Sequence, residues 1–153
     1  MLLLDYITNN TTMTHYTVGI RVPGTSNPHL HMTLCYLGDL DITKVEALKG
    51  ELDQLCKDIL PLEIVFGERA LFGPQNNIPV RLVAIKDAQK RAALDAFYQK
   101  HHKPEQGLPD SDTQNFHVTI KSIMNEADAL DTVQLSRVFM KQLGPHDPVW
   151  ESS

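Results

Sequence analysis

The chain has 153 residues, of which 42% are hydrophobic and 22% are charged, and its formal net charge at pH 7 is −5. This length is enough for one domain with a substantial core and short for two. Proteins that grip long nucleic acid through many phosphates are usually basic, so the acidic balance argues against such a partner and leaves room for a small anionic ligand. No apolar run approaches the roughly 18 residues of a membrane span, so the composition predicts a soluble protein.

The first 13 residues are predicted to be a loosely ordered leader, and residues 14–153 a single domain. The leader has three leucines but no basic flank or small-residue cleavage site, so it does not resemble a secretory signal. Two cysteines, Cys35 and Cys56, are too few for a disulfide framework. We therefore expect packed thiols and a reducing compartment, the cytoplasm.

Hydrophobic periodicity predicts the secondary structure in chain order. Residues 16–22 alternate as a half-buried strand, residues 27–39 form a second strand, and an apolar repeat of three and four over 42–59 indicates a helix that Pro61 stops. The remaining predicted elements are strands over 62–67 and 80–85, a helix over 87–102, a strand over 115–123, a helical turn over 126–135 and a strand over 137–143. This order predicts an α+β fold, with helices packed on one side of a mostly antiparallel sheet.

One face of the second strand is polar where apolar residues would be expected. The stretch "LHMTL" at 30–34 has the pattern apolar-His-apolar-Thr-apolar, and "FHVTI" at 116–120 repeats it 86 residues later. Residues two apart in a strand share a face at a spacing of about 7 Å. Each motif therefore presents an imidazole beside a hydroxyl, while its apolar residues turn into the core.

A single His-x-Thr carries little information, because this composition yields about 0.5 copies by chance. In a third copy, in "THYTV" at 14–18, His15 precedes the first predicted strand, follows Thr14 where an apolar residue would be expected, and lacks a preceding strand and loop, so we interpret it as a surface residue. The other two copies each follow a strand and a loop and lie in different halves of the chain. They are therefore predicted to form two related half-sites.

Two strand-borne His-x-Thr-apolar motifs in a small α+β chain resemble the 2H phosphoesterase superfamily, which includes the LigT-like RNA cyclic phosphodiesterases. The resemblance covers most of residues 14–145. It implies a bilobal fold of two small, mostly antiparallel sheets with helices outside and a central cleft, and no required metal or cofactor. It assigns His31, Thr33, His117 and Thr119 as catalytic residues.

A narrower resemblance comes from the compact size and the aromatic ends of the chain. These are similar to the phage enzymes that destroy the cyclic nucleotide messengers of bacterial CBASS immunity. This likeness implies hydrolysis of cyclic oligonucleotides in a host cytoplasm. The alternatives are a LigT-like RNA 2′,3′-cyclic phosphodiesterase and a non-catalytic nucleotide-binding module.

The residue types of the two motifs suit phosphodiester cleavage independently of any family. Two histidines near pKa 6.5 can share the roles of general base and general acid, and threonine hydroxyls can donate to the phosphoryl oxygens. The nucleophile is either water, which opens a 2′,3′-cyclic phosphate, or a ribose 2′-hydroxyl that attacks its own 3′-5′ linkage. The pattern leaves open both this choice and the question of which histidine is the base.

Further residues are candidates for substrate or metal binding. Tyr16 and Trp150 could stack on bases, and Lys121 could meet phosphate, although core packing and a solvated lysine are the alternatives. His29 shares the face of His31, and with His117 it could complete a three-histidine zinc site. That reading leaves both motif threonines unexplained.

The paired motifs also predict a geometry. The strands of His31 and His117 should meet at one cleft, with the imidazoles a few ångströms apart and too distant for a direct hydrogen bond. The apolar residues around His31, namely Leu30, Met32 and Leu34, should pack against a helix on the opposite face. The loops predicted at 23–28, 72–79 and 103–113 should rim the cleft.

Overall fold

The computed structural model describes residues 14–103 and 116–152. The leader predicted over residues 1–13 lies outside these ranges, as does nearly all of the loop predicted over 103–113. Neither described helix combines the length and the apolar character that crossing a membrane requires.

Eight strands and two helices make up the regular structure of these ranges. They are β1 (Thr14–Arg21), β2 (His31–Leu40), α1 (Ile42–Ile59), β3 (Leu62–Phe72), β4 (Ile78–Ala84), α2 (Ala88–His101), β5 (His117–Thr119), β6 (Thr132–Leu135), β7 (Val138–Gln142) and β8 (Pro148–Glu151), with 3-10 turns at Lys121–Ile123 and Ala127–Ala129. All strand pairings are antiparallel, in the order β6-β3-β4-β5-β2-β1-β7-β8. The α+β prediction is confirmed.

The described strands form one continuous sheet, where two small sheets were predicted. The sheet is continuous because β2 pairs directly with β5 through Met32 and Val118. This pairing joins two groups of four strands. The group around His31 consists of β2, β1, β7 and β8, so it combines strands from both ends of the described chain. The group around His117 consists of β5, β4, β3 and β6.

The two helices cover one face of this sheet. The apolar stripe predicted for α1 is buried, and it consists of Val45, Leu48, Leu52, Leu55 and Ile59. In α2, Leu94 and Phe97 are buried, and α2 contacts β2. These side chains form a single cluster with Leu30, Met32 and Leu34, which we call the helix-side core. The prediction that the apolar residues around His31 pack against a helix is confirmed.

The cysteines are free thiols: Cys35 is buried and Cys56 is half-buried. Burial raises the pKa of Cys35 to about 12. This environment keeps the Cys35 thiol protonated at neutral pH and agrees with the prediction of packed thiols.

The sequence pattern is least accurate after α2. The strand predicted over 115–123 is only three residues long, because the backbone at Ile120 leaves the extended region and enters a 3-10 turn. The helical turn predicted over 126–135 is a 3-10 turn followed by β6, and β8 was not predicted. Short strands such as these depend on their sheet partners, since a few residues carry too little periodicity to identify them.

A side-chain cap begins α1. The carboxylate of Asp41 accepts a hydrogen bond from the backbone N–H of Lys44 at 2.9 Å, which satisfies one of the otherwise unpaired donors of the first turn. We expect Asp41→Ala to lower the free energy of unfolding by about 1 kcal/mol in urea titrations. Asp41→Asn keeps an acceptor and should stay close to the parent. Equal stability of the alanine variant and the parent would contradict this role of the cap.

Candidate active site

The middle residues of the two motifs, Met32 and Val118, are direct partners between β2 and β5. Both side chains are fully buried on the helix side of the sheet. Because side chains alternate between the two faces of a strand, the residues on either side of this pair point to the opposite face. The two motifs therefore present their polar residues on the same open face.

The antiparallel register places His31 opposite Thr119 and Thr33 opposite His117. The two histidines then occupy one diagonal of a square and the two threonines occupy the other. Diagonal neighbours in a sheet have Cβ atoms about 7 Å apart, a gap that a phosphate group can fill. The structure thus brings together all four residues that the motifs predicted as catalytic.

These four residues border one cleft with a volume of about 270 Å³. Its lining is completed by Asn27, His29, Leu30, Tyr36 and Ser122. A cavity of similar size, about 280 Å³, lies on the helix side between α1 and α2 and contains none of the motif residues. The motif histidines and threonines therefore border the first of these two spaces.

His31 is held by a backbone hydrogen bond. Its Nδ1 lies 3.1 Å from the carbonyl oxygen of His29, and because a carbonyl only accepts, the imidazole donates through Nδ1–H. In the neutral ring, Nε2 then carries the free lone pair. Burial lowers the pKa of His31, the carbonyl of His29 opposes this effect, and the cations of Lys141 and Arg21 lower the pKa further.

Each motif histidine also contacts a phenylalanine edge-on. Phe139 on β7 packs against His31 with ring centroids 5.3 Å apart and an interplanar angle of 88°. Phe72 at the end of β3 packs against His117 at 4.6 Å and 67°. In both cases one strand separates the two partners in the sheet, so the two half-sites have equivalent phenylalanine contacts.

The predicted loop at 23–28 closes one end of the cleft. Asn27 donates from Nδ2 to the hydroxyl of Ser122 at 2.9 Å and accepts the N–H of His29 at 2.9 Å. Ser26 binds the carboxylate of Glu126 through its backbone N–H, at 3.0 Å, and through its hydroxyl. These contacts connect the entry to β2 with the segment that follows β5, across the seam between the two strand groups.

The three predicted substrate-binding residues do not line this cleft. Tyr16 is 9% exposed within the helix-side core, and Trp150 packs against the same core. Their positions in β1 and β8 place them on the helix face, with Val18 and Met140 as same-face neighbours. Lys121 is exposed in the 3-10 turn, because β5 ends at Thr119 and no longer alternates there, and Ser122 lines the cleft instead.

The zinc alternative required His29, His31 and His117 to form one ligand set. Within residues 14–103 and 116–152, the structure contains no group of three or more His, Cys, Asp or Glu residues that could hold a metal ion. His29 is exposed and lines the cleft, and it contacts His31 through its carbonyl oxygen.

Tyr36 lines the cleft although regular alternation from Thr33 would turn it to the other face. The β1–β2 register shifts between Val18 and Gly19, which pair with Cys35 and Thr33, and both Leu34 and Cys35 are buried in succession. This irregularity reverses the alternation and returns Tyr36 to the open face. A doubled apolar pair in the strand was the one sequence signal that could have indicated it.

The sheet order, the facing His-x-Thr motifs and the shared cleft together define the 2H phosphoesterase class. The chain belongs to the 2′-5′ RNA ligase superfamily, whose family model matches residues 15–143. It is 27% identical over 120 residues to the RNA 2′,3′-cyclic phosphodiesterase of Bacillus subtilis (strain 168). That alignment covers 59% of this chain and 66% of the relative's length. The resemblance to the superfamily is confirmed, and the narrower resemblance to phage enzymes stays a prediction.

The lowered pKa of His31 makes stability depend on pH. The unfolded chain binds a proton at this residue near pH 6.5, whereas the folded chain resists it until a lower pH, so stability falls as the pH drops below about 6.5. We expect His31→Gln to gain stability relative to the parent between pH 7.5 and pH 5.5 in urea titrations. An NMR titration should give a midpoint for His31 below 6.5. Parallel pH profiles for the two proteins would contradict the shift.

Proposed function

We propose that this protein is a phosphodiesterase that opens 2′,3′-cyclic phosphates by acid–base catalysis with His31 and His117. The observation that carries the proposal is their diagonal placement at one cleft, with Thr33 and Thr119 on the other diagonal. The name of the Bacillus subtilis relative supports cyclic phosphate as the substrate class. The proposed reaction requires no metal, because the two imidazoles supply both proton transfers.

In the proposed reaction, one of the two diagonal histidines acts as the base and the other as the acid, on opposite sides of a bound phosphate, as an in-line displacement requires. The neutral imidazole takes a proton from water while the water oxygen forms a bond to phosphorus. The bond from phosphorus to one ribose oxygen breaks, and the imidazolium on the far side protonates that oxygen. The product is a ribose phosphomonoester with a free neighbouring hydroxyl.

The surroundings of His31 support the proton-accepting role for this residue. Its pKa is lowered by burial and by nearby cations, so the neutral form is favoured near pH 7. Its Nδ1–H is engaged by the carbonyl of His29, which leaves the lone pair of Nε2 to accept a proton. His117 is then assigned the donating role.

Thr33 and Thr119 are proposed to stabilise the charge on the non-bridging phosphoryl oxygens. Each hydroxyl has a proton to donate and sits beside the histidine of the opposite strand. By analogy with an oxyanion-hole donor, each could supply about 2 to 4 kcal/mol in the transition state.

The substrates that are hydrolysed distinguish a 2′,3′-cyclic phosphodiesterase from an enzyme that degrades cyclic oligonucleotides. We expect the protein to hydrolyse 2′,3′-cyclic mononucleotides and short RNA with a 2′,3′-cyclic end in the presence of EDTA. Cyclic di- and trinucleotides form a parallel substrate set that tests the immune-messenger prediction. Activity lost to EDTA would support the zinc alternative, and binding without turnover of any substrate would support a non-catalytic module.

Substitution of either motif histidine should remove nearly all turnover. We expect His31→Ala and His117→Ala each to lower kcat by about 10²- to 10⁴-fold, and the double variant to be little worse, because acid and base act as a unit. Thr33→Val and Thr119→Val should lower kcat by less, with small changes in KM.

A third copy of the motif provides a matched control. His15 also belongs to a His-x-Thr sequence, but it is exposed and its Nε2 pairs with Asp39 at 3.1 Å. His15→Ala should keep kcat within about twofold of the parent, measured in the same assay. Full activity in either cleft-histidine variant, or an equal loss in the His15 variant, would overturn the assignment.

A further inference from the structure

Four strands each contribute one side chain to a chain of contacts that ends at His31. On β8, Glu151 binds the guanidinium of Arg21 at 3.2 Å. On β1, Arg21 places its Cζ 4.5 Å from the centre of the Phe139 ring, over the ring face. On β7, Phe139 meets the imidazole of His31 edge-on, with centroids 5.3 Å apart. A carboxylate at the edge of the sheet is thus connected to a histidine at its centre.

Gly19 makes the contact between the two rings possible. It lies on β1 between its partners Thr33 on β2 and Phe139 on β7. A Cβ atom built at Gly19 would lie 2.6 Å from Cζ of Phe139 and 3.3 Å from Cδ2 of His31. The phenyl ring therefore crosses β1 over bare backbone, in space that any other residue would occupy.

The burial of Phe139 is unusual for its face of the sheet. Its neighbours Val138 and Met140 belong to the helix-side core, whereas Phe139 points to the opposite face and does not belong to that cluster. It is nevertheless only 1% exposed. Phe139 is thus a large apolar ring on the open face of the sheet. Arg21 covers it, and its packing partner in the cleft is His31.

We infer that Phe139 is a positioning residue that fixes the plane of the His31 imidazole, with Arg21 clamping the phenyl ring from over its face. The hydrogen bond from Nδ1 to the carbonyl of His29 holds one edge of the imidazole, and Phe139 restricts its rotation about that bond. Glu151 in turn restrains the guanidinium. The catalytic part of this inference rests on the proposed function, whereas the positioning itself does not.

Charged groups on several elements lie near His31 and influence its protonation. Arg21 on β1 and Lys141 on β7 are the cations that lower its pKa. Glu151 on β8 pairs with Arg21, and Arg137 lies 3.9 Å from the same carboxylate. His117, on the neighbouring β5, borders the same cleft.

The central test is Phe139→Leu, with Phe72→Leu as the matched control. We expect Phe139→Leu to lower kcat by about tenfold or more with KM within about twofold, because the imidazole is no longer held in its reactive orientation. In NMR spectra, the His31 ring signals should show rotamer averaging, and the His31 titration midpoint should rise because water reaches the ring. Phe72→Leu should change the signals of His117 and leave those of His31 in place.

Two variants of Arg21 distinguish its packing against Phe139 from the effect of its charge on His31. Arg21→Lys keeps the cation but loses the flat guanidinium, so it should lower kcat and broaden the His31 ring signals with little change in the His31 midpoint. Arg21→Gln should have the same effects and also raise the midpoint, because a cation is removed. Lys141→Gln should raise the midpoint without rotamer averaging. If Phe139→Leu folds poorly, these variants still test the positioning.

Two outcomes would overturn the inference. One is a Phe139→Leu protein of reduced melting temperature whose kcat and His31 ring signals match the parent, which would make the ring a packing element only. The other is unchanged His31 signals in both Arg21 variants. If the parent hydrolyses none of the substrates, the proposed function fails, but the NMR signals of His31 still decide whether Phe139 and Arg21 orient its ring.

Discussion

The pairing of Met32 with Val118 is the contact on which the candidate site depends. It joins the two groups of four strands and sets the register that places each motif histidine beside the threonine of the other motif. A slip of one residue in either strand would turn its histidine and threonine into the helix-side core. The burial of both apolar side chains beneath α1 and α2 opposes such a slip, so the packing of one face determines the chemistry of the other.

The same seam explains why the cleft has two similar sides. Each histidine lies on an innermost strand, and each meets a phenylalanine that lies beyond one intervening strand. The contacts of Asn27 with Ser122 and of Ser26 with Glu126 then connect the two strand groups beyond the histidines. Side chains supported in this way keep their geometry better than side chains on unsupported loops, because strands on both sides restrain each of them.

The sequence predicted the parts of the fold that are specified locally. The apolar repeat of three and four residues in α1 and the alternation of apolar and polar residues in β1 and β2 lie within each element's own sequence. The repeated motif identified the four residues at the cleft. Contacts between distant residues were not predictable. Phe139 reaches His31 across a strand, β5 has only three residues, and the face of Tyr36 depends on an irregularity in β2. Tyr16 and Trp150 lie at the helix-side core, the packing alternative, because an aromatic residue type does not determine which face of a strand it occupies.

Local charge and net charge act in different directions at this site. The chain is acidic overall, at −5, yet the charged groups that shift the pKa of His31 are the cations Arg21 and Lys141. In the proposed mechanism burial, helped by these cations, keeps His31 neutral before substrate binds. A bound phosphate brings negative charge next to them, which offsets their repulsion of an imidazolium and raises the proton affinity of His31. The substrate would therefore stabilise the protonated His31 that forms as water is activated. The same cations would favour neutral His31 before phosphate binds and would oppose its protonation less afterwards.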